Sequence, residues 1–295
     1  MLVPMKDIVD RAHAGKYGVP AVPAFNEILI RAAIEAAVEA RSPLIFLTSN
    51  RGDPVFSHGI VRYFADKADI PIALCLDHSR SFEDCVIGVR AGCTAIMADR
   101  SEFPYEENVA QVKLLADIAH AAGISIEGEI GHVGRGDNYA VDGMRNLTDP
   151  DAAKQFIGDT GVDCLAVAIG TAHGVYIGTP KLDFGRLKSI NETCGTPLVL
   201  HGGSGSGDDN IHRACEMGIA KVNIVTDIII ANHQAVLDGD FTGNKAHGMF
   251  PAISESTRKS VLRLFDITGS TGKAPSKNSP SNTGTIANDK ASTEE

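Results

Sequence analysis

Three histidines, each at the end of a short apolar run, are the residues of this chain best placed to do chemistry. His78 ends the run IALCLDH, His173 the run CLAVAIGTAH, and His201 the run PLVLH. If these runs are neighbouring strands of a parallel sheet, the three imidazoles meet at its carboxyl edge. Neutral imidazole nitrogens bind zinc-like ions, and three of them leave a coordination position open for a substrate. The pattern therefore predicts a metal-dependent enzyme.

Carboxylates stand at the same predicted edge. Asp77 precedes His78, and because the chain turns at a strand end, both side chains can reach the site, with Asp77 as an acid–base group or simply as a helix cap. Glu127 and Glu129 share one face of a predicted strand, and Asp99 ends the strand before it. They could bind a second metal position or orient the histidines, with Glu129 favoured over Glu127; the alternative is buried acids paired with lysines or backbone.

Glycine-rich stretches surround the second and third histidines, with the sequences AIGTAHG and LHGGSGS. Glycine allows close backbone approach, successive N–H groups bind anions, and the second stretch leads into a helix whose positive end favours phosphate. Any one stretch could be a tight turn, but together with NIVT at the eighth strand they predict a phosphate pocket beside the metal. The candidate residues are Gly174, Gly202, Gly203, Ser204, Asn223, Ile224, Val225 and Thr226.

Eight short apolar runs alternate with amphipathic segments and must position these side chains. The predicted strands are Val19 to Asn26, Pro43 to Ser49, Ile72 to Asp77, Ala95 to Asp99, Ser125 to Glu129, Cys164 to Ile169, Leu198 to His201 and Lys221 to Val225. Their continuous apolar character is typical of strands covered on both faces. The alternation favours an α/β TIM (β/α)8 barrel with additional C-terminal helices over an open doubly wound sheet.

Two segments depart from the repeat. The stretch between Ile130 and Thr148 is too long for an ordinary turn and rich in glycine, which predicts a mobile lid. Asp137 on this lid could place a carboxylate over a substrate, although a solvated loop residue is the default alternative. Residues 270–295 are polar and are expected to form a disordered tail after a barrel domain spanning residues 1–269.

Composition excludes several classes of protein. A net charge of -10 leaves no basic footprint for nucleic acid or an anionic membrane. The amino terminus lacks the pattern of a secretory signal, and no apolar run approaches the length of a membrane span, so a cytoplasmic location is the default. The 6 cysteines lack metal-knuckle spacing and are expected to be free thiols.

Four segments carry a resemblance to a known family. They are LDH at residues 76–78, AVAIGTAHG at 166–174, LVLHGGS at 198–204 and KVNIVTD at 221–227. In this order and spacing they closely resemble the signatures of the class II, zinc-dependent ketose-bisphosphate aldolases, especially the group that includes tagatose-bisphosphate aldolases. The likeness extends from the amino-terminal helix to about Ala274.

This resemblance implies retro-aldol cleavage of fructose or tagatose 1,6-bisphosphate to dihydroxyacetone phosphate and glyceraldehyde 3-phosphate, through a metal-stabilised enediolate. It implies that His78, His173 and His201 bind one Zn2+ and that Asp77 acts on the C4 hydroxyl, with Asp99 and Glu129 as an alternate metal site. Gly174, Gly202, Gly203, Ser204 and the 223–226 segment would hold the phosphate, near a monovalent cation (Na+ or K+) in many members. Homodimers or homotetramers are usual among such relatives.

Some positions depart from the family pattern. Asp137 stands where the family carries a lid glutamate for the proton at C3, and the lysine that often follows the His-Gly-x-Tyr segment is absent. Asn26 and Ser49 fall on the rim of the substrate site, where the chain is shorter than usual. These differences leave open an aldolase of a related phosphorylated or acidic ketose, or a noncatalytic accessory subunit.

Overall fold

The computed structural model describes residues 1–49, 52–131, 133, 147–176 and 178–275. Asp137 and most of the predicted lid lie outside these residues. The described strands form one closed parallel barrel in the order β1 to β8, each paired with its neighbours in sequence and β8 with β1. The strands are β1 (Val19–Pro23), β2 (Leu44–Thr48), β3 (Ile72–Ser79), β4 (Ala95–Ala98), β5 (Ser125–Ile130), β6 (Cys164–Val167), β7 (Leu198–Leu200) and β8 (Ile219–Asn223).

One helix precedes β1, and the others follow the strands around the outside of the barrel. They are α1 (Met5–Gly15), α2 (Glu27–Glu39), α3 (Pro54–Ala65), α4 (Phe82–Ala91), α5 (Tyr105–Ala121), α6 (Pro150–Thr160), α7 (Phe184–Cys194), α8 (Asp208–Glu216), α9 (Thr226–Leu237) and α10 (Met249–Thr268), with a 3-10 helix at Gly243–Gly248. The predicted TIM barrel with additional C-terminal helices is confirmed.

The predicted strands lie within a few residues of the observed ones, and the two largest extensions have a physical cause. β3 continues to Ser79, two residues beyond the predicted end at Asp77, because it carries a bulge against β4. β8 begins two residues earlier, at Ile219, where its register against β7 also shifts. Extra residues of this kind bend a strand and re-aim its side chains.

The core has two layers, which explains why the strand runs are apolar without alternation. Inward residues such as Ala73, Cys75 and Ala166 fill the barrel, and outward residues such as Leu74 pack beneath the helices. The amino end of the barrel is closed by α1, whose buried Val9 belongs to the inner layer. The carboxyl end is thereby left as the place for a site.

The C-terminal helices pack back onto the barrel. α10 lies against α2 and α9, and the chain continues on the barrel beyond it. Ser270 is fully buried and accepts a hydrogen bond from Ser42 Oγ at 2.9 Å. The amide of Gly272 donates to Ala40 O at 2.9 Å. Residues 270–275, predicted above as the start of a polar tail, therefore contact the barrel, and the rest of that tail lies outside the described residues.

Among the helices described above, none combines the length and the apolar character needed to cross a bilayer.

Candidate active site and metal centre

A bulge at the end of β3 brings Asp77 and His78 to the same site. Leu76 pairs with Ile96, but the next pairing is Ser79 with Ala98, so β3 carries one residue more than β4. His78 has a φ of 47°, in the left-handed region that side chains other than glycine rarely adopt. In a regular strand the two neighbours would face opposite sides, and this local turn is what presents both at the carboxyl edge.

The three predicted histidines converge at this edge. The Nε2 atom of His78 lies 3.0 Å from Nδ1 of His201 and 3.2 Å from Nε2 of His173. The ring centroids are 4.8 Å, 4.8 Å and 5.7 Å apart. His201 is fully buried and the other two rings are partly buried. Their facing nitrogens form a cluster that could hold a metal ion.

Each of the three rings also has a hydrogen-bond partner outside the cluster. The Nδ1 atom of His78 lies 2.8 Å from Asp99 Oδ2, and Nε2 of His201 lies 2.7 Å from Glu127 Oε1. His173 is hydrogen-bonded to the backbone of Val133. In neutral rings these outer nitrogens carry the proton, so the three inner nitrogens present lone pairs to one another. Lone pairs that face one another repel unless a cation lies between them. The arrangement therefore fits a divalent metal whose ligands are already oriented.

The pKa values of two of these rings are shifted in opposite directions. Burial lowers the pKa of His78, but the carboxylates of Asp77, Asp99 and Glu129 outweigh it and raise that pKa to about 9. Burial and the neighbouring His201 and His78 rings lower the pKa of His173 to about 3. Without a metal, a proton therefore favours His78, the ring closest to the acids, over His173.

A buried ion pair lies beneath His201 and joins two distant strands. Glu127 on β5 and Lys221 on β8 are both fully buried, and Lys221 Nζ donates to Glu127 Oε2 at 2.8 Å. The other carboxylate oxygen faces His201, as given above. Burial raises the pKa of Glu127, but Lys221 and His201 outweigh it and lower that pKa. Glu127 is thus an ionised support of the ring rather than a group that meets solvent.

A second candidate metal group shares His78. His78, Asp99 and Glu129 each place a ligand atom within 4.8 Å of the others. Burial is the main reason that the pKa of Glu129 is raised, and its Oε2 atom is buried without a hydrogen-bond partner among the described residues. Burial raises the pKa of Asp99, but hydrogen bonds from His78 and Ser101 and the charge of His78 outweigh it, and the net shift is downward. An unpartnered buried carboxyl oxygen beside an ionised carboxylate suits a cation.

Asp77 lies on the other side of the histidines. Its Oδ1 atom accepts a hydrogen bond from Asn223 Nδ2 at 3.2 Å. Burial raises the pKa of Asp77, but His78, His201 and Lys221 outweigh it, and the net shift is downward. Asp77 is therefore an ionised carboxylate with a fixed orientation, which is what a proton acceptor needs.

A cleft of about 290 Å³ lies beside the histidines, between the loops that follow β6, β7 and β8. Its walls are Gly174, Val175, Tyr176, Gly178, Thr179, Ser204, Gly205, Thr226, Asp227 and Ile230. Gly202 lies behind it with a φ of 65°, and a Cβ there would meet Ala172 O at 2.2 Å. Tyr176 Oη donates to Gly202 O at 2.8 Å. The cleft thus brings Gly174, Ser204 and Thr226 together, as the sequence predicts. Its wall is formed by loops whose backbones lie close to one another.

The remaining predicted substrate residues have more local contacts. Asn26 is exposed and caps α2, since its Oδ1 atom accepts from Leu29 N at 3.0 Å. Ser49 is exposed just after β2. The amide of Ile224 donates to Ala21 O at 3.0 Å.

The turn after β8 is held by Gly203, Asn223 and Val225. The amide of Gly203 donates to Asn223 O at 3.0 Å, and that of Val225 donates to Ser204 Oγ at 3.2 Å. Asp137 lies outside the described residues.

Sequence reasoning missed Lys221, Tyr176 and Asp227. Lys221 and Asn223 are two apart in the apolar strand IAKVN, so period-two spacing could have placed both inside the barrel. Asp227 accepts from Gly205 N at 3.2 Å and brings an acid to the wall of the cleft. No sequence signal marks Tyr176 as the residue that links the loops after β6 and β7, because its partners are backbone atoms.

Fold and site together define a class of protein. A TIM barrel with convergent imidazoles, carboxylates and a glycine-lined cleft at its carboxyl edge is the architecture of a metal-dependent enzyme. Residues 3–273 match the family of class-II fructose-bisphosphate aldolases. The chain belongs to this family, and it is a metal-dependent aldolase, a lyase.

Solved structures agree with this assignment. The YdjI aldolase of Escherichia coli K12 is 32% identical with a TM-score of 0.84, over 93% of this chain and 100% of that one. A candidate fructose-1,6-bisphosphate aldolase of Coccidioides immitis is 29% identical with a TM-score of 0.80, over 90% and 96% of the two chains. The fructose-bisphosphate aldolase of Campylobacter jejuni, at 24% identity, TM-score 0.78 and coverage of 92% and 97%, shares the fold.

Proposed function

We propose that this protein is a zinc-dependent aldolase that cleaves a ketose 1,6-bisphosphate, either fructose or tagatose 1,6-bisphosphate, to dihydroxyacetone phosphate and glyceraldehyde 3-phosphate. The observation that carries the proposal is the convergence of three imidazole nitrogens, 3.0 Å and 3.2 Å apart, beside the ionised Asp77. An aldol cleavage needs both features, because a proton leaves a hydroxyl while negative charge develops on the carbonyl side.

His78, His173 and His201 are proposed to hold the zinc ion, which when bound supplies Lewis-acid stabilisation of that charge. Asp99 keeps His78 oriented, and Glu127 does the same for His201. Asp99 and Glu129 are proposed as alternate ligands in a second metal position that shares His78.

Asp77 is proposed to accept the proton of the C4 hydroxyl as the C3–C4 bond breaks. Its lowered pKa keeps Asp77 ionised and able to accept a proton. The side-chain amide of Asn223 keeps the carboxylate turned toward the histidines. The cleft beside Gly174, Ser204 and Thr226 is proposed to hold the phosphate of the dihydroxyacetone phosphate half. Asp137 is proposed, from the family resemblance, to exchange the proton at C3.

The metal part of the proposal is tested by binding. Purified protein should retain about one zinc per chain by elemental analysis, as expected for a single catalytic site. His173→Ala should lose the metal, whereas His120→Ala should keep it, because His120 pairs with Asp163 at the amino end of the barrel. Full activity after exhaustive chelation would contradict the proposal.

The chemistry is tested by turnover on a panel of ketose mono- and bisphosphates, with dihydroxyacetone phosphate detected by a coupled dehydrogenase. Asp77→Asn should keep the metal and lose about 10²–10⁴-fold in cleavage rate, the usual contribution of a general base. Asp66→Asn, an exposed carboxylate at the end of α3, should leave the rate unchanged. Full metal with no turnover on any ketose phosphate would favour an accessory subunit instead.

Three further expectations do not rest on the geometry; the first two come from the family resemblance and the third from the sequence pattern. They are a homodimer or homotetramer, a monovalent cation near the phosphate, and a cytoplasmic location. Sedimentation equilibrium tests the first and the dependence of KM on K+ and Na+ tests the second. Localisation of the tagged chain in intact cells tests the third.

A further inference from the structure

Arg100 is a buried cation that the proposed chemistry does not use. The residue is only 1% exposed and follows Asp99 at the end of β4. Its Nη1 atom donates to Ser79 O at 2.6 Å and to Asp99 O at 2.8 Å, and its Nε atom donates to Gln111 Oε1 at 2.7 Å. Burial of a guanidinium is costly unless its donors are satisfied, so this placement requires a structural or functional gain.

The partners of Arg100 are unusual for a buried arginine. Within the described residues, no carboxylate oxygen forms an ion pair with it, and its Nη1 atom donates to two main-chain carbonyls, one at the end of β3 and one just after β4. Gln111 lies on α5, and its Nε2 atom donates to Glu107 Oε1 at 3.0 Å, which turns the amide oxygen toward the guanidinium. Arg100 therefore ties the ends of β3 and β4 to one helix.

The carbonyl that Arg100 contacts on β3 closes the bulge that presents the site. Ser79 O also accepts from the amide of Asp99 at 3.2 Å, so two donors on the residues just after β4 fix the point at which pairing resumes. The residues enclosed by this closure are Asp77 and His78, the latter in its left-handed conformation. Without the closure, β3 would be free to relax toward the regular register, in which the two side chains face opposite sides.

We propose that Arg100 is a positioning residue for the metal site. Its guanidinium holds the bulge of β3 against β4, so that His78 stays within reach of a metal and Asp99 stays within hydrogen-bond distance of His78. The inference rests on the proposed function, since it takes His78 as a metal ligand. Arginine suits this task better than lysine, because its planar fork donates to several acceptors in fixed directions. A lysine ammonium could reach the carbonyls only by giving up Gln111.

The first test compares Arg100→Met with Arg100→Lys. The readouts are the zinc dissociation constant from chelator competition and the visible absorption of the Co2+-substituted protein, which reports ligand geometry without turnover. Loss of an outer contact that orients a ligand typically weakens metal binding about 10–100-fold. We expect a weakening of that size and an altered Co2+ spectrum for Arg100→Met, with a smaller weakening for Arg100→Lys.

A matched control separates positioning from general stability. Val9→Ala removes buried volume from α1 at the opposite end of the barrel, where Val9 is 0% exposed. It should lower the thermal midpoint of the metal-free protein and leave zinc affinity and the Co2+ spectrum at wild-type values. An equal loss of zinc affinity in Val9→Ala and Arg100→Met would show a merely structural role and overturn the inference.

A second pair of variants keeps the test decisive if Arg100→Met does not fold. Gln111→Met removes the acceptor at Nε, while Gln111→Glu keeps an acceptor there and adds a carboxylate beside the guanidinium. Zinc affinity should fall several-fold in the first and stay within about twofold of wild type in the second. Wild-type affinity and spectrum in folded Gln111→Met or Arg100→Met would overturn the inference.

The outcomes distinguish the two proposals. If the wild-type protein fails to bind zinc, or His173→Ala binds it unchanged, the proposed function fails. If the wild type binds zinc, His173→Ala loses it and Arg100→Met keeps full affinity, only the role of Arg100 is refuted.

Discussion

The buried pair of Glu127 and Lys221 makes a sharp prediction about stability. Both side chains are fully buried, with one hydrogen bond of 2.8 Å between them and another of 2.7 Å from Glu127 to His201. Lys221→Met keeps the approximate length and volume of the side chain while removing its charge. It leaves a carboxylate in the barrel interior that no longer has a cationic partner on β8.

The expected cost follows from this geometry. Removing one partner of a buried ion pair destabilises by about 3–5 kcal/mol, because the remaining charge is uncompensated. At about 2–4 °C per kcal/mol for a large single domain, the thermal midpoint should fall by roughly 6–20 °C. The double variant Lys221→Met with Glu127→Gln removes both charges and should recover at least half of the lost stability.

The pH dependence of the folding stability of the Lys221→Met variant is an independent test. Lys221 is the largest influence that lowers the pKa of Glu127, so with Lys221 gone we expect burial to outweigh His201 and to raise that pKa above its unfolded value. The folded variant then binds more protons than the unfolded chain, so its stability falls as pH rises. The stability difference from wild type should therefore grow from about pH 5 to about pH 8.

The assay is urea unfolding of metal-free protein, followed by circular dichroism, so that metal binding does not contribute to the unfolding free energy. Wild type, both single variants and the double variant form one cycle. A Lys221→Met variant within about 1 kcal/mol of wild type, or a double variant as unstable as the single one, would refute the reasoning.

Three other predictions concern the site itself. Asp99→Asn should weaken zinc binding about 10–100-fold by chelator competition, because the amide is a poorer acceptor for His78; wild-type affinity would contradict this. Metal binding must displace the proton of His78, whose pKa is about 9 in the metal-free site, so affinity should rise about tenfold per pH unit up to that value. Calorimetry in buffers of different ionisation enthalpy should show the released proton. Gly202→Ala should raise KM for the phosphorylated substrate at least about tenfold, because its Cβ meets Ala172 O at 2.2 Å. Gly195→Ala is the control. Gly195 has a similar positive φ but open space where a Cβ would lie, so this substitution should leave KM unchanged.

The sequence alone determined the fold and the convergence of the histidines. Continuous apolar runs alternating with amphipathic segments are local patterns, and they specify parallel strands covered on both faces. Since parallel strands share one carboxyl edge, the positions of His78, His173 and His201 at run ends were enough to predict that they meet. The resemblance to class II aldolases implied the same fold and the same three histidines as metal ligands.

The tertiary structure alone decided how those side chains are supported. Lys221 and Glu127 are 94 residues apart, and whether they meet depends on the stagger of β8 around the barrel, which no local pattern encodes. The same holds for Arg100, whose acceptors are backbone carbonyls on two strands. Asn26, predicted on the rim of the substrate site, also caps the adjacent helix through its Oδ1 atom, and its contact with a substrate stays a prediction. Strand ends are set by local sequence, whereas register, bulges and buried charge partners follow from the packing of the closed barrel.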